Sequence, residues 1–154
     1  MQWYTHTFNQ LTTKTLYDIL KLRIDVFVVE QTCYYPDLDG IDCNDDTLHI
    51  YAFENDEIIA YLRCLAPGVV YEGESAIGRV VIAEQARGRS LGHELIQQGI
   101  KACEAAWPDN NIHMAAQEHL QKYYHQHDFK TIGEMFLEDD IPHISMVREA
   151  KTKS

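Results

Sequence analysis

The stretch Val80-Val81-Ile82-Ala83-Glu84-Gln85-Ala86-Arg87-Gly88-Arg89-Ser90-Leu91-Gly92 has the make-up of an anion site. An apolar strand end runs into a turn of small residues, and the turn runs directly into a helix. The first backbone N–H groups of a helix have no partner inside it and point the same way, which forms a cradle for a phosphate or pyrophosphate. Gly88, Ser90 and Gly92 lack bulk, so such a group can approach the main chain closely. Arg87 and Arg89 add charge-assisted contacts. Spacing alone fits any strand–turn–helix equally well.

Other residues carry chemistry less specifically. Arg23 falls seven residues after Leu16, on or beside the apolar stripe of a first helix. An unpaired buried charge is costly, so Arg23 either makes a structural ion pair or lines a substrate pocket. Asp37, Asp39, Asp42, Asp45, Asp46 and His49 crowd one loop, but their spacing misses the calcium-loop pattern. No metal is expected; the loop either attracts an amine or is merely solvated. Tyr34 and Tyr35 could wall a cationic amine or pack at a rim.

Charge narrows the partners. The net charge of -11 argues against nucleic acid, whose phosphates need a basic surface. Between Glu30 and Glu57 there are nine acidic residues and no Lys or Arg, whereas Arg79 to Arg89 holds three arginines against Glu84. That asymmetry suits a protein handling a cationic and an anionic group in different places. No apolar run of about 18 residues suggests a membrane span, and Met1 to His6 lacks a signal-peptide pattern. Cys33, Cys43, Cys64 and Cys103 form no CxxC pair and read as reduced thiols, so a cytoplasmic location is expected.

The elements that must position these residues follow from periodicity. Trp3 to Phe8 reads as a strand, and Thr12 or Thr13 caps a helix running to about Phe27. Glu30 to Thr47 is an acidic loop. His49 to Glu54 and Glu57 to Leu65 form a hairpin about Asn55-Asp56. Ser75 to Ile82 is a strand leading into the glycine-rich turn, and Leu91 to Trp107 is a helix closed by Pro108. Ile112 to Ala116 is a strand, His119 to His127 a short helix, and Lys130 to Leu137 and His143 to Arg148 the last strands, separated by Glu138 to Pro142. The order β-α-β-β-β-α-β-α-β-β predicts an α/β fold, a mixed sheet with helices on its faces, in one domain spanning 1–154.

Two motifs carry a family resemblance. Gln85-Ala86-Arg87-Gly88-Arg89-Ser90 resembles the Gln/Arg-x-x-Gly-x-Gly/Ala signature of the GNAT N-acetyltransferases, with Ser90 departing at the last position. Gln117-x-x-Leu120-x-x-Tyr123-Tyr124-x-x-x-Asp128-Phe129 resembles the family's Asn-x-x-Ala-x-x-x-Tyr-x-x-x-Gly-Phe segment, with Gln117 for Asn and Asp128 for Gly. Arg23-x-x-Val26-Phe27-Val28-Val29-Glu30-Gln31-x-Cys33-x-Tyr35, the acidic run from Asp37 and Glu138 to Ile144 are similar to the ElaA-like branch.

The resemblance implies a mostly antiparallel sheet of six to seven strands, splayed at an acyl-CoA site, with acetyl-CoA or another acyl-CoA as co-substrate. It implies that Val80, Val81 and Ile82 meet the pantetheine arm, that the backbone of Arg87, Gly88, Arg89, Ser90, Leu91 and Gly92 holds the pyrophosphate, and that Gln117 touches the cofactor. Tyr124 then sits by the sulfur as general acid. For the base, Glu30 is favoured over Asp139, His143 and His119, and Arg23, Tyr35, Asp139 and His143 are expected on the acceptor side. The expected reaction is acyl transfer to a primary amine of a small molecule. The rival is a non-catalytic acyl-CoA-binding module; a signal-lactone synthase, suggested by Arg23-x-x-Val26-Phe27, is a third reading. Whether the chain works as a monomer or a homodimer stays open.

Overall fold

The computed structural model describes residues 1–151. Strand β1 (Gln2–Thr7) leads to helix α1 (Thr13–Arg23). Thr12 caps α1, its Oγ1 accepting from the Thr15 N–H at 3.1 Å, which satisfies one of the orphan donors at the helix start. The sequence predicts this helix to about Phe27. Instead, α-helical turns stop at Arg23 and a wider, π-helical coil continues over Ile24–Glu30. Bonds such as Gln31 N–H to the Val26 carbonyl (3.1 Å) and Cys33 N–H to the Val28 carbonyl (3.1 Å) reach five residues back and close it.

Strands β2 (Leu48–Glu54) and β3 (Glu57–Leu65) form the predicted hairpin. Asn55 and Asp56 both take positive φ (52° and 62°), the turn geometry that matches the twist of paired strands. Strand β4 (Glu74–Ile82) follows, then helix α2 (Leu91–Ala106), strand β5 (Asn111–Gln117), the short helix α3 (Gln121–His125), and strands β6 (Lys130–Glu138) and β7 (Ile141–Arg148). The last two strands extend further than expected, and only Asp139 and Asp140, at φ 50° and 64°, make the turn between them.

The seven strands of the described residues join one sheet in the order β1-β2-β3-β4-β5-β7-β6. Its pairs are antiparallel except β4 with β5. Strand parity sorts the two faces. Leu62, Ile77, Met114 and Met146 point toward α2, where Leu95, Ile96 and Ile100 complete the apolar core. Tyr61, Arg63, His113 and His143 belong to the opposite face, which α1 covers over β3 and β4.

Helix α2 approaches the sheet at Gly99. A Cβ there would stand 2.8 Å from Leu62 Cδ2 and 3.3 Å from Ile77 Cδ1, and Leu62 is fully buried. Gly99→Ala is therefore expected to cost about 1–3 kcal/mol through overpacking, outweighing the gain in helix propensity. Denaturant unfolding checks this; an unchanged or higher midpoint would show that α2 can lift away freely.

Candidate active site

The site begins with a failure of pairing. β4 and β5 bond only at Glu74–Asn111, Ser75–Ile112 and Ala76–His113, then diverge. The cause lies in β4: between Val81 opposite Tyr61 and Gly78 opposite Arg63, the two residues Arg79 and Val80 face the single Leu62. Arg79 takes φ 54°. This β-bulge bends β4 away from β5. The resulting gap is part of a cleft of about 450 Å³ lined by Gly78, Arg79 and Val80 on one edge and Ala115, Ala116 and Gln117 on the other.

Beyond the end of β4 lies the turn into α2. Gly88 takes φ 80° with no atom within 4 Å of a Cβ built on it. Ser90, the helix N-cap, takes φ 58°, a conformation that suits Gly better than Ser. Gly92 is small for a reason not read from the sequence: a Cβ there would sit 2.5 Å from the Tyr123 hydroxyl oxygen. Both arginines are already paired. Arg87 forms a two-pronged contact with Glu30 (2.9 and 3.1 Å), and Arg89 with Glu54 (2.8 and 2.8 Å). Val81 and Leu91 turn their side chains into the core, so only their main chain can meet a ligand. Ile82 offers its carbonyl to Arg87 Nε at 3.2 Å.

Glu30, the expected base, pairs with Arg87 and lies outside the cleft lining. Arg23 is also elsewhere. It is 0% exposed, donating from Nε to Asp37 Oδ2 (2.9 Å), from NH1 to Asp42 Oδ1 (2.7 Å) and from NH2 to the Asp37 carbonyl (3.1 Å). Its guanidinium lies 5.6 Å from the centre of the Tyr61 ring. Of the two readings of this arginine, the ion pair is the one found, and Arg23 does not line the cleft.

Sequence reasoning missed how far this network extends. Arg63 grips Asp39 (2.9 and 2.6 Å) and Asp42 (3.0 Å). Arg79 reaches Asp37 at 2.8 Å. Burial raises the Asp39 carboxyl, but hydrogen bonds and charge from Arg63 outweigh it and hold it at about 2. Asp42 is lowered for the same reason, Arg23 and Arg63 together overcoming its burial. Asp37, Asp39 and Asp42, three of the five aspartates of the acidic loop, thus neutralise three arginines and are not free to draw in an amine. The available signal was an arginine inside the apolar run Tyr61-Leu62-Arg63-Cys64-Leu65, the same anomaly already noted at Arg23.

The remaining expected residues do gather. Tyr35, Gln117, Tyr124, Asp139 and His143 all line the cleft. Tyr35 donates to Asp37 Oδ1 at 2.9 Å, with burial first and the neighbouring carboxylate second pushing its phenol up. Tyr124 is 5% exposed, held edge-on between Tyr123 (5.2 Å) and Phe129 (6.3 Å). Burial pushes its phenol up as well, so it keeps its proton at neutral pH. His119, a candidate base, is exposed and lies outside the cleft lining. Tyr71, which no pattern singled out, also lines the cleft and stacks on His113 at 3.6 Å.

Known proteins share this architecture. A family model described as the acetyltransferase (GNAT) domain matches residues 24–150. Protein ElaA of Escherichia coli strain K12 is 40% identical over 149 residues, 97% of each chain. The crystal structure of Escherichia coli ElaA superposes with a TM-score of 0.91 over 97% of this chain and 100% of that one. An acyl-CoA N-acyltransferase from Pseudomonas aeruginosa is 46% identical, with a TM-score of 0.91 over 96% and 98% of the two chains. A CoA-dependent acyl-homoserine lactone synthase superposes at 0.78 over 97% and 83%, but at 16% identity the likeness is one of fold alone.

Proposed function

Because the chain belongs to the GNAT acetyltransferase family, in its ElaA-like branch, we propose that it transfers an acyl group, acetyl first among them, from an acyl-CoA to a primary amine of a small cytoplasmic molecule. The observation that carries this reading is the gap between β4 and β5, with a turn of small residues at the start of α2 beyond one end and a buried tyrosine on its wall.

The residues present fit such a co-substrate. Past Ala76 the facing edges of β4 and β5 do not bond to each other, so the main chain near Val80 can pair with the amide-bearing pantetheine arm as a strand would. The backbone N–H groups from Gly88 to Gly92 bind the pyrophosphate, the Arg87 N–H being taken by the Glu84 carbonyl at 3.3 Å. Arg87 and Arg89 exchange Glu30 and Glu54 for phosphate oxygens, each swapping one anionic partner for another. Gln117 contacts the arm from the end of β5. The acyl-CoA supplies an activated thioester; the protein supplies position, water exclusion and protons. Tyr35 belongs to the acceptor side, and Tyr124 donates to sulfur as it leaves. A neutral acceptor nitrogen is required, and a Lys-like ammonium with pKa near 10.4 lies about 3.4 units away from that state at pH 7.

Thiol release from acetyl-CoA in the presence of a panel of primary amines tests the proposal, and no turnover with any of them would count against it. The cradle is tested separately. Gly88→Glu places a side chain in a left-handed backbone position and a negative charge where the pyrophosphate binds. Acetyl-CoA affinity, measured by calorimetry, is expected to fall at least about tenfold (roughly 1.4 kcal/mol) while the protein stays folded. Undiminished affinity in the folded variant would place the phosphates elsewhere.

A further inference from the structure

We propose that His143 is the group that takes the proton from the acceptor amine. The inference rests on the acyl-transfer reading above and adds to it the partner that Tyr124 needs. His143 pairs with Gln117 across the β5–β7 ladder, so its side chain stands on the face of the sheet opposite α2. Tyr124 comes from α3, which lies on the α2 side, where Tyr123 stacks on His93 at 4.5 Å. Both line the one cleft. A thioester lying in the gap is thereby flanked on one side by the donor to sulfur and on the other by an imidazole facing the incoming nitrogen.

Local geometry gives the imidazole its tautomer. Nδ1 lies 2.7 Å from the Ile141 carbonyl oxygen. A carbonyl only accepts, so Nδ1 carries the hydrogen and the neutral ring keeps its lone pair on Nε2. Nε2 lies 3.5 Å from Glu138 Oε2, close enough for that carboxylate to stabilise the imidazolium once a proton arrives. The ring stacks on Phe136, with centroids 6.1 Å apart, and its side chain is 11% exposed. This is a base whose orientation is fixed from two sides.

Other bases are committed or stand off the cleft. Glu30 lies outside the cleft lining, Asp39 is held by Arg63, and Glu74 by His113 at 3.0 Å. Among the described residues His143 is the only histidine lining the cleft. Asp139 stands exposed in the turn between β6 and β7, whereas the His143 ring is held by the Ile141 carbonyl and Phe136. In the step itself, Nε2 takes a proton from the acceptor ammonium, the neutral nitrogen then forms the N–C bond to the thioester carbon, and the proton that nitrogen sheds on becoming an amide replaces the one Tyr124 lends to sulfur. The C–S bond then breaks with its electron pair on sulfur, and Tyr124 meets that charge.

The experiment compares acceptors of different basicity in wild type, His143→Gln and His143→Asn; the Asn variant retains a donor for the Ile141 carbonyl. Against a strongly basic primary amine, kcat/KM is expected to fall about 10²- to 10⁴-fold, the range of general-base assistance. Against hydroxylamine, whose nitrogen is already neutral at pH 7, it should stay within about threefold, and acetyl-CoA should still raise Tm in both variants. Equal losses with both acceptors would mark His143 as a structural residue, and no loss with either would remove it from the reaction; both outcomes overturn the assignment while leaving acyl transfer standing. A wild-type protein that acylates neither acceptor overturns the functional reading and this inference together.

Discussion

Replacing Arg23 by Met is expected to destabilise the fold by about 3–5 kcal/mol, the range found when one partner of a buried ion pair is removed. Met matches the length of the stem and leaves the apolar packing against Tyr61 largely intact, so the loss reports the charge. Two features set the scale. Arg23 is completely buried and donates three hydrogen bonds, two to carboxylates and one to a carbonyl. Its partners Asp37 and Asp42 remain in contact with Arg79 and Arg63, which draws the expectation toward the lower end. For a chain of 154 residues this corresponds to a fall in Tm of roughly 6–20 °C. A loss under about 1 kcal/mol in urea unfolding would mean that the remaining two arginines satisfy the loop without it.

The same cluster fixes a pH dependence. Asp39 and Asp42 have folded-state pKa values depressed below the ordinary carboxylate value of 3.8. The stability they contribute is therefore present above about pH 3.8 and is lost as pH falls toward 2. Arg23→Met weakens the hold on Asp42, so part of this acid sensitivity should disappear. The cluster also has a functional consequence. It joins α1 through Arg23, β3 through Arg63 and the β4 bulge through Arg79 to the single loop Asp37–Asp42. The bulge is what separates β4 from β5, so the network supports the gap itself.

The parts of this architecture that sequence made legible are those written in local chemistry. Asn55-Asp56 between apolar runs specifies a hairpin because those residues tolerate positive φ. Gly88 before an apolar-periodic helix specifies an open turn at a helix start. Tyr124 and Gln117 were reached through a family pattern, and both line the cleft. What escaped was long-range pairing. Nothing within the sequence around Glu30 announces that Arg87, 57 positions away, will hold its carboxylate. Nor does the loop from Asp37 to Asp42 reveal that its charges are matched one for one by arginines on three separate elements. Periodicity could not anticipate the π-helical coil after Arg23 either, because one extra residue per turn leaves the apolar composition unchanged.

Changing Tyr124 to Phe is expected to lower kcat by roughly 10- to 1000-fold while leaving acetyl-CoA affinity nearly unchanged. The argument starts from the state of the phenol. Burial raises it above its ordinary value of 10, so the hydroxyl is protonated throughout the neutral range and available as a donor. A departing thiolate resembles cysteine, with a reference pKa near 8.5. Complete transfer from this tyrosine to sulfur is thus uphill, by at least the roughly 1.5 units between the two reference values. The hydroxyl contributes chiefly as a hydrogen bond that strengthens while charge builds on sulfur, which is a transition-state effect and falls on kcat. Phe keeps the ring and its edge contacts with Tyr123 and Phe129, so Tm should move by little. Tyr123→Phe supplies the contrast: that hydroxyl stands over Gly92 and not in the cleft lining, so its removal should touch acyl-CoA binding more than turnover. A Tyr124→Phe enzyme within about twofold of wild-type kcat on a confirmed amine would leave Tyr124 as a packing residue, and water would have to meet the leaving sulfur in its place.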